Sequence, residues 1–204
     1  MVAGEEKQPR RRNAAASKQR LLTAAAAEFV AGGIAGARVD RIAAAADANK
    51  RLIYDYFGDK DGLFDAVLER FTEDAVGAVP IDVGDLPAYA ARLFDYHCDH
   101  PDLLRLVTWA RLEGRTTPSA QEQRRASYRR RAAAIENAQR AGTVTSALTG
   151  SQLLDLIESL AVGWTAAARG VLATPRQLKA ERAAQRQAIA EAVRRIVAPD
   201  AKAP

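Results

Sequence analysis

Apolar residues recur along most of this chain at intervals of three and four, the repeat of a helix with one buried face. Leu22, Ala25, Ala26 and Phe29 share one face of a helix that Asn13 can cap and that runs through Ala31, where Gly32 and Gly33 stop it. Val39, Ile42, Ala43 and Ala46 form a second, shorter stripe. Asp47, Ala48 and Asn49 separate it from a third segment, in which Ile53 and Phe57 lie four apart and must face a core. Two short helices joined by so brief a turn describe a helix-turn-helix.

Longer helices follow. Asp59 can cap one from Lys60 to about Gly77, and a linker with Pro80, Gly84 and Pro87 precedes another to His100. Pro101 opens the next, through Glu113. Ser119 with Glu122, and Thr149 with Gln152, have capping-box spacing for helices ending at Gly142 and Gly170. Thr174, Pro175 and Gln177 start a last helix carrying Ala188, Ile189, Ala192, Val193 and Ile196. With no strand pattern and no internal repeat, the expected fold is all-α with about nine helices. An N-terminal three-helix helix-turn-helix domain would precede a C-terminal helical bundle. The boundaries read as a flexible basic arm at 1–12, the helix-turn-helix domain at 13–59, the bundle at 60–198 and a tail at 199–204.

Composition narrows the classes. The 204 residues are 48% hydrophobic and 27% charged, which is globular rather than disordered. No charge-free run reaches the roughly eighteen residues of a membrane span. The N-terminus lacks the apolar core of a signal peptide, so a cytoplasmic protein is expected. A lone cysteine, Cys98, excludes an internal disulfide framework. Residues 1–60 hold 11 Lys/Arg against 7 Asp/Glu, whereas the remainder holds 19 against 18. A basic front on a neutral body points to nucleic acid.

The stretch "ANKRLIYDYFGDKDGL", residues 48–63, sharpens that reading. If Ile53 and Phe57 face inward, Lys50, Arg51 and Tyr54 occupy the exposed N-terminal side, where a recognition helix meets the major groove. Lysine and arginine can donate to phosphates or guanine edges, and a tyrosine hydroxyl reaches a phosphate while its ring packs on the sugar. Lys60 adds a cation at a helix start whose amides already favour an anion. Tyr56 either joins the surface or packs beside Phe57.

The segment "RVDRIAAAADANKRLIYDYFGDKDGLF" resembles the DNA-binding segment of TetR-family transcriptional repressors, in which an "IA..AGVS" helix and turn lead into "K..LYYHF..K". The match covers Gly33 to about Leu68. It implies a homodimer whose first three helices bind a double-stranded DNA operator, while the bundle binds a small-molecule inducer. Three positions depart from the pattern. Asp47 replaces the turn glycine and tolerates left-handed geometry better than most residues. Ala37-Arg38 stands where Thr or Ser usually caps the second helix, and Arg38 can reach a phosphate instead. Asn49 stands where serine is common and can still cap the recognition helix.

Other residues carry weaker signals. Tyr89, Phe94, Trp109, Tyr128 and Trp164 are core by default, yet a ligand-binding bundle must leave a cavity among its aromatics. His97 could be a polar group in that pocket. His97, Cys98 and His100 lack a further His/Cys partner for a zinc site, so neither metal nor cofactor is expected. Arg124, Arg125, Arg129, Arg130 and Arg131 read most simply as a solvated face. Ser159, Gly163 and Ala167 form a small-residue strip flanked by Leu153, Ile157, Leu160 and Trp164. With Ala188, Ala192 and Ile196 of the last helix it forms a candidate dimer interface, the alternative being that these apolar faces are consumed inside one subunit.

The function expected is a sequence-specific regulator, a repressor released from a palindromic operator by a small molecule. An architectural DNA-binding protein without ligand response is the alternative. An enzyme has no support, since there is no phosphate-cradling loop, nucleophile elbow or metal set.

Overall fold

The structure, a computed structural model, describes residues 7–113, 118–165 and 175–199. The described residues form nine helices: α1 (Lys7–Gly36), α2 (Val39–Ala45), α3 (Arg51–Phe57), α4 (Lys60–Ala78), α5 (Leu86–Asp99), α6 (Pro101–Glu113), α7 (Pro118–Arg140), α8 (Gly150–Gly163) and α9 (Pro175–Ile196). None is long and apolar enough to cross a membrane. The chain divides into two compact units, Met1–Phe71 with Arg105–Gln121, and Thr72–Leu104 with Glu122–Pro204.

The helix starts follow local chemistry. Asp59 Oδ1 accepts the Gly62 N–H at 2.7 Å, and Asp85 Oδ1 accepts that of Ala88 at 2.9 Å. Thr149 and Gln152 form the full capping box, each side chain accepting the other's backbone N–H. Three starts and stops differ from the sequence expectation. α1 begins at Lys7, not after Asn13, so 7–12 is helical rather than an arm. Proline is tolerated in a first turn, and the lysine, glutamine and arginines around Pro9 are good helix formers. α7 already includes Pro118, so Ser119 is not its cap, and it stops at Arg140. α8 ends at Gly163, where Thr165 Oγ1 donates back to the Val162 carbonyl at 2.8 Å. Gly170 and Thr174 lie outside the described residues, as does the Gln177 side chain.

The first unit is built around Leu21, Ala25, Phe29, Ile34, Ile42, Ile53, Leu63, Phe64 and Leu106, all at most 1% exposed. Phe29 and Phe64 meet edge to face, ring centroids 5.1 Å apart. The three stripes read from the sequence therefore converge: Phe29 comes from α1, Ile42 from α2 and Ile53 from α3. α1 leaves helical geometry at Gly33, whose φ of 66° and ψ of −175° only glycine adopts readily. The indole of Trp109 covers this glycine, and a Cβ there would lie 2.9 Å from the ring.

In the second unit α5 packs against α8 and α9. Its core joins Tyr89, Phe94, Ile135, Leu153, Leu154, Ile157, Ile189 and Val193. A charged clamp closes the α5–α9 seam. Arg182 donates to both carboxylate oxygens of Asp99, at 2.6 and 2.9 Å, and to Asp95, while Arg186 donates to Asp95 at 2.7 Å. The pair with Asp99 is bidentate, the geometry that suits a guanidinium best.

His97, 8% exposed on α5, leaves its Nδ1 without a hydrogen-bond partner among the described residues. Burial, with a smaller contribution from the charge of His100, pushes its pKa down to about 4. Because the unfolded imidazole titrates near 6.5, the unfolded chain binds the extra proton between these two values. The stability present above pH 6.5 is therefore lost as pH falls toward 4, by roughly 3 kcal/mol in all.

Two stability measurements test this account. In urea titrations, Gly33→Ala should lose about 2–4 kcal/mol, from backbone strain and the collision with Trp109. The acid limb of wild-type stability between pH 6.5 and 4 should flatten in His97→Leu, which should be no less stable at pH 7. An unchanged acid limb would assign the pH dependence to other groups.

Candidate DNA-binding surface

The turn between α2 and α3 is closed by the backbone itself. The Ala48 N–H donates to the Ala43 carbonyl at 3.0 Å and the Asp47 N–H to that of Ala44 at 3.2 Å, the two bonds of a Schellman motif. Such a motif needs a left-handed residue at its turn, and Asp47, with φ 46°, is the one non-glycine residue of positive φ among those described. Arg20 of α1 adds a third tie, its Nε donating to the Ala46 carbonyl at 3.0 Å. Asn49 then starts α3: its Oδ1 accepts the Arg51 N–H at 2.8 Å and its carbonyl accepts the Leu52 N–H at 2.9 Å. Asp47 and Asn49 thus substitute for the glycine and serine of the usual pattern at the level of hydrogen bonds.

α3 buries Ile53 completely and leaves Tyr54 47% exposed. Arg51 projects outward, its side chain 85% exposed and only 3.9 Å from Asp55 at closest. Phe57 is half-buried, with the Lys18 ammonium 5.6 Å from its ring centre and the ring of Tyr56 edge-on to it. Tyr56 is half-buried too, packed edge-on beside Phe57.

The other cations are more committed than their exposure suggests. Lys50 Nζ lies 2.7 Å from Asp40 Oδ1, a pair between the first turn of α2 and the entry to α3. Lys60 Nζ donates to the carbonyls of Ala35 and Ala37, each at 3.4 Å, and so ties the start of α4 to the end of α1. At α2, which has no side-chain cap, Glu28 Oε1 accepts the Arg38 N–H at 3.0 Å and the Arg41 Nε at 2.7 Å. Arg38 itself is exposed. Asp40 and Glu28 are the residues that sequence reasoning missed. Their partners lie ten or more positions away, beyond any i,i+4 rule.

The residues expected around a ligand separate. Tyr89, Phe94 and His97 are buried in the second unit, and Tyr128 packs against its core. Tyr128 donates to Asp155 Oδ1 at 2.7 Å and to the Ser151 carbonyl at 3.0 Å; burial first, then Asp155, raise its pKa to about 12. Trp109 belongs with the first unit, over Gly33, and Trp164 is 37% exposed at the end of α8. The arginine run is not uniformly solvated either: Arg131 turns inward to pair with Glu158, and its buried Nε has no partner.

The expected association strip also needs correction. Leu153 and Ile157 are at most 1% exposed inside their own unit, and Leu160 and Ile196 pack against that core. Ser159, Gly163 and Ala188 are exposed and Ala192 is half-buried, while Ala167 lies outside the described residues. Leu156, 41% exposed on α8, is the large apolar residue of the outer face that periodicity did not single out.

Known proteins share this arrangement. Residues 21–67 match the family described as bacterial regulatory proteins, tetR family, and residues 85–195 match the tetracyclin repressor-like C-terminal domain. The HTH-type transcriptional repressor SCO4008 of Streptomyces coelicolor is 46% identical over 136 residues, covering 66% of this chain and 71% of that protein. The crystal structure of the transcriptional regulator SCO4942, also from Streptomyces coelicolor, superposes with a TM-score of 0.75 at 36% identity, covering 89% of this chain and 98% of that one. SmeT, solved in complex with triclosan, shares the fold at a TM-score of 0.62 and 17% identity, over 93% of this chain and 98% of its own. With its capped helix-turn-helix and both domains matched, the chain belongs to the TetR family and is a DNA-binding transcriptional regulator.

Proposed function

We propose that this regulator is a dimeric repressor that leaves a palindromic operator when a small molecule binds its second unit. DNA contact is assigned to Arg38, Asn49, Lys50, Arg51, Tyr54, Tyr56 and Lys60. The observation that carries the reading is the outward face of α3. Arg51 and Tyr54 stand exposed on the first turn of a helix whose entry is capped and whose other face buries Ile53 completely.

Dimerisation through α8 and α9 is supported by their outer faces. Leu156, Ser159, Gly163 and Trp164 leave an exposed strip of apolar and small residues on one helix, and Ala188 extends it on the other. A twofold dimer would carry two α3 helices, and a pair about one DNA turn apart would read a palindrome. The ligand response is supported by polar groups held among apolar ones. Arg131, Glu158 and Tyr89 interact inside the second unit, and His97 offers an unused ring nitrogen. Burial raises the pKa of Glu158 despite the opposing charge of Arg131. Such groups give a ligand orientation in an otherwise apolar site.

Selecting genomic fragments with purified protein, with Tyr54→Ala in parallel, should recover a palindrome for the native chain only. Tyr54→Ala should weaken binding about equally on all sequences. Arg51→Ala should also relax sequence preference, by roughly 1–3 kcal/mol for each base edge that the guanidinium reads. Lys60→Ala should lower affinity and melting temperature together, because its ammonium also holds two carbonyls. Recovery of no preferred fragment would overturn the regulatory reading.

The switch has its own test by linkage. A releasing ligand must bind free protein more tightly than operator-bound protein, by the same factor by which it weakens the operator. Titration calorimetry with and without operator measures that factor. Equal affinities would exclude release.

A further inference from the structure

The Lys50–Asp40 pair asks why a DNA-binding face should carry an exposed carboxylate at all. Asp40 is 77% exposed and Lys50 46%, so neither charge is forced into its partner by burial. An acid at this place repels phosphate and cancels one of the cations that the basic front supplies. Its hydrogen bond raises the pKa of the ammonium above the ordinary lysine value. A free lysine, on its flexible four-carbon stem, would settle on whichever phosphate lay nearest. Held 2.7 Å from Asp40 at the entry to α3, the ammonium is biased toward one place and has two N–H groups left to donate.

We infer that Asp40 is a specificity-positioning residue, which withholds Lys50 from the phosphate backbone and aims it at purine acceptors in the major groove. The class of target is a guanine edge, whose O6 and N7 both accept. The pair lowers non-specific affinity and so widens the gap between operator and bulk DNA. This inference rests on the regulatory reading above and adds a residue that does not itself contact a phosphate.

The test compares wild type, Asp40→Asn, Lys50→Met and the double variant by fluorescence anisotropy. Each is titrated with the selected fragment and with a random duplex of equal length, across a series of salt concentrations. Asp40→Asn frees one cation, so on random duplex the slope of log affinity against log salt should steepen by about one. Non-specific affinity should rise several-fold at low salt, and the ratio of fragment to random binding should fall. In the Lys50→Met background the same substitution should leave the slope unchanged and raise affinity only by the loss of the acid's own repulsion, since Asp40 acts on the slope through Lys50. The inference is overturned if Asp40→Asn leaves slope and ratio at wild-type values, or if it acts equally with and without Lys50. A wild-type protein that prefers no fragment would sink the regulatory reading instead, and the slopes on random duplex would still decide the role of Asp40. Equal melting temperatures for the four proteins would exclude a folding effect, and Asp40→Glu, which retains the acid, should restore the wild-type slope.

Discussion

Asp47 holds a φ of 46°, and the direction in which α3 leaves α2 follows from that angle. A right-handed residue there would continue α2 and carry Ile53 away from the core it fills. The two Schellman bonds and the Arg20 tie to Ala46 converge on this turn, so its geometry is over-determined. Aspartate in the left-handed region still costs more than glycine. The chain tolerates that cost at the place where the fold and the recognition surface share a single joint.

The surrounding charges follow a related logic. A face that binds DNA gains affinity from every free cation, yet here four of the cations have duties inside the protein. Lys60 holds carbonyls, Arg20 closes the turn, Arg41 meets Glu28 and Lys50 meets Asp40. Arg51 is the counterexample, long, exposed and nearly unpaired. The basic surplus at the front of the sequence therefore overstates the free charge offered to a phosphate backbone. What it provides instead is order, because side chains already fixed in the free protein lose little entropy on binding.

Most of the first unit was legible in the sequence because its signals are local. Asp59 acts within three residues and the stripes of α1 to α3 repeat within a turn or two, as local as the Thr149–Gln152 box of the second unit. Apart from helix boundaries, the failures are matters of which face meets which partner. Leu153 and Ile157 share a periodicity with Leu156, but only packing decides that the first two go inward. Trp109 sits far along the chain from Gly33, and the pairings of Arg131 with Glu158 and Lys50 with Asp40 join separate helices. Periodicity assigns a residue to a stripe, and cannot say which of two apolar partners will cover it.

Between α3 and α4 the packing has no side-chain cushion. A Cβ on Gly62 would stand 2.1 Å from the Phe57 carbonyl oxygen, so the first turn of α4 rests on the last turn of α3 backbone to backbone. Side chains that interdigitate can change rotamer and absorb a small displacement, whereas backbone atoms in contact have no such slack. The joint therefore behaves as a gear without play. A displacement of the α4 start reaches α3 through this contact undamped, and α3 must follow as a rigid lever rather than repack.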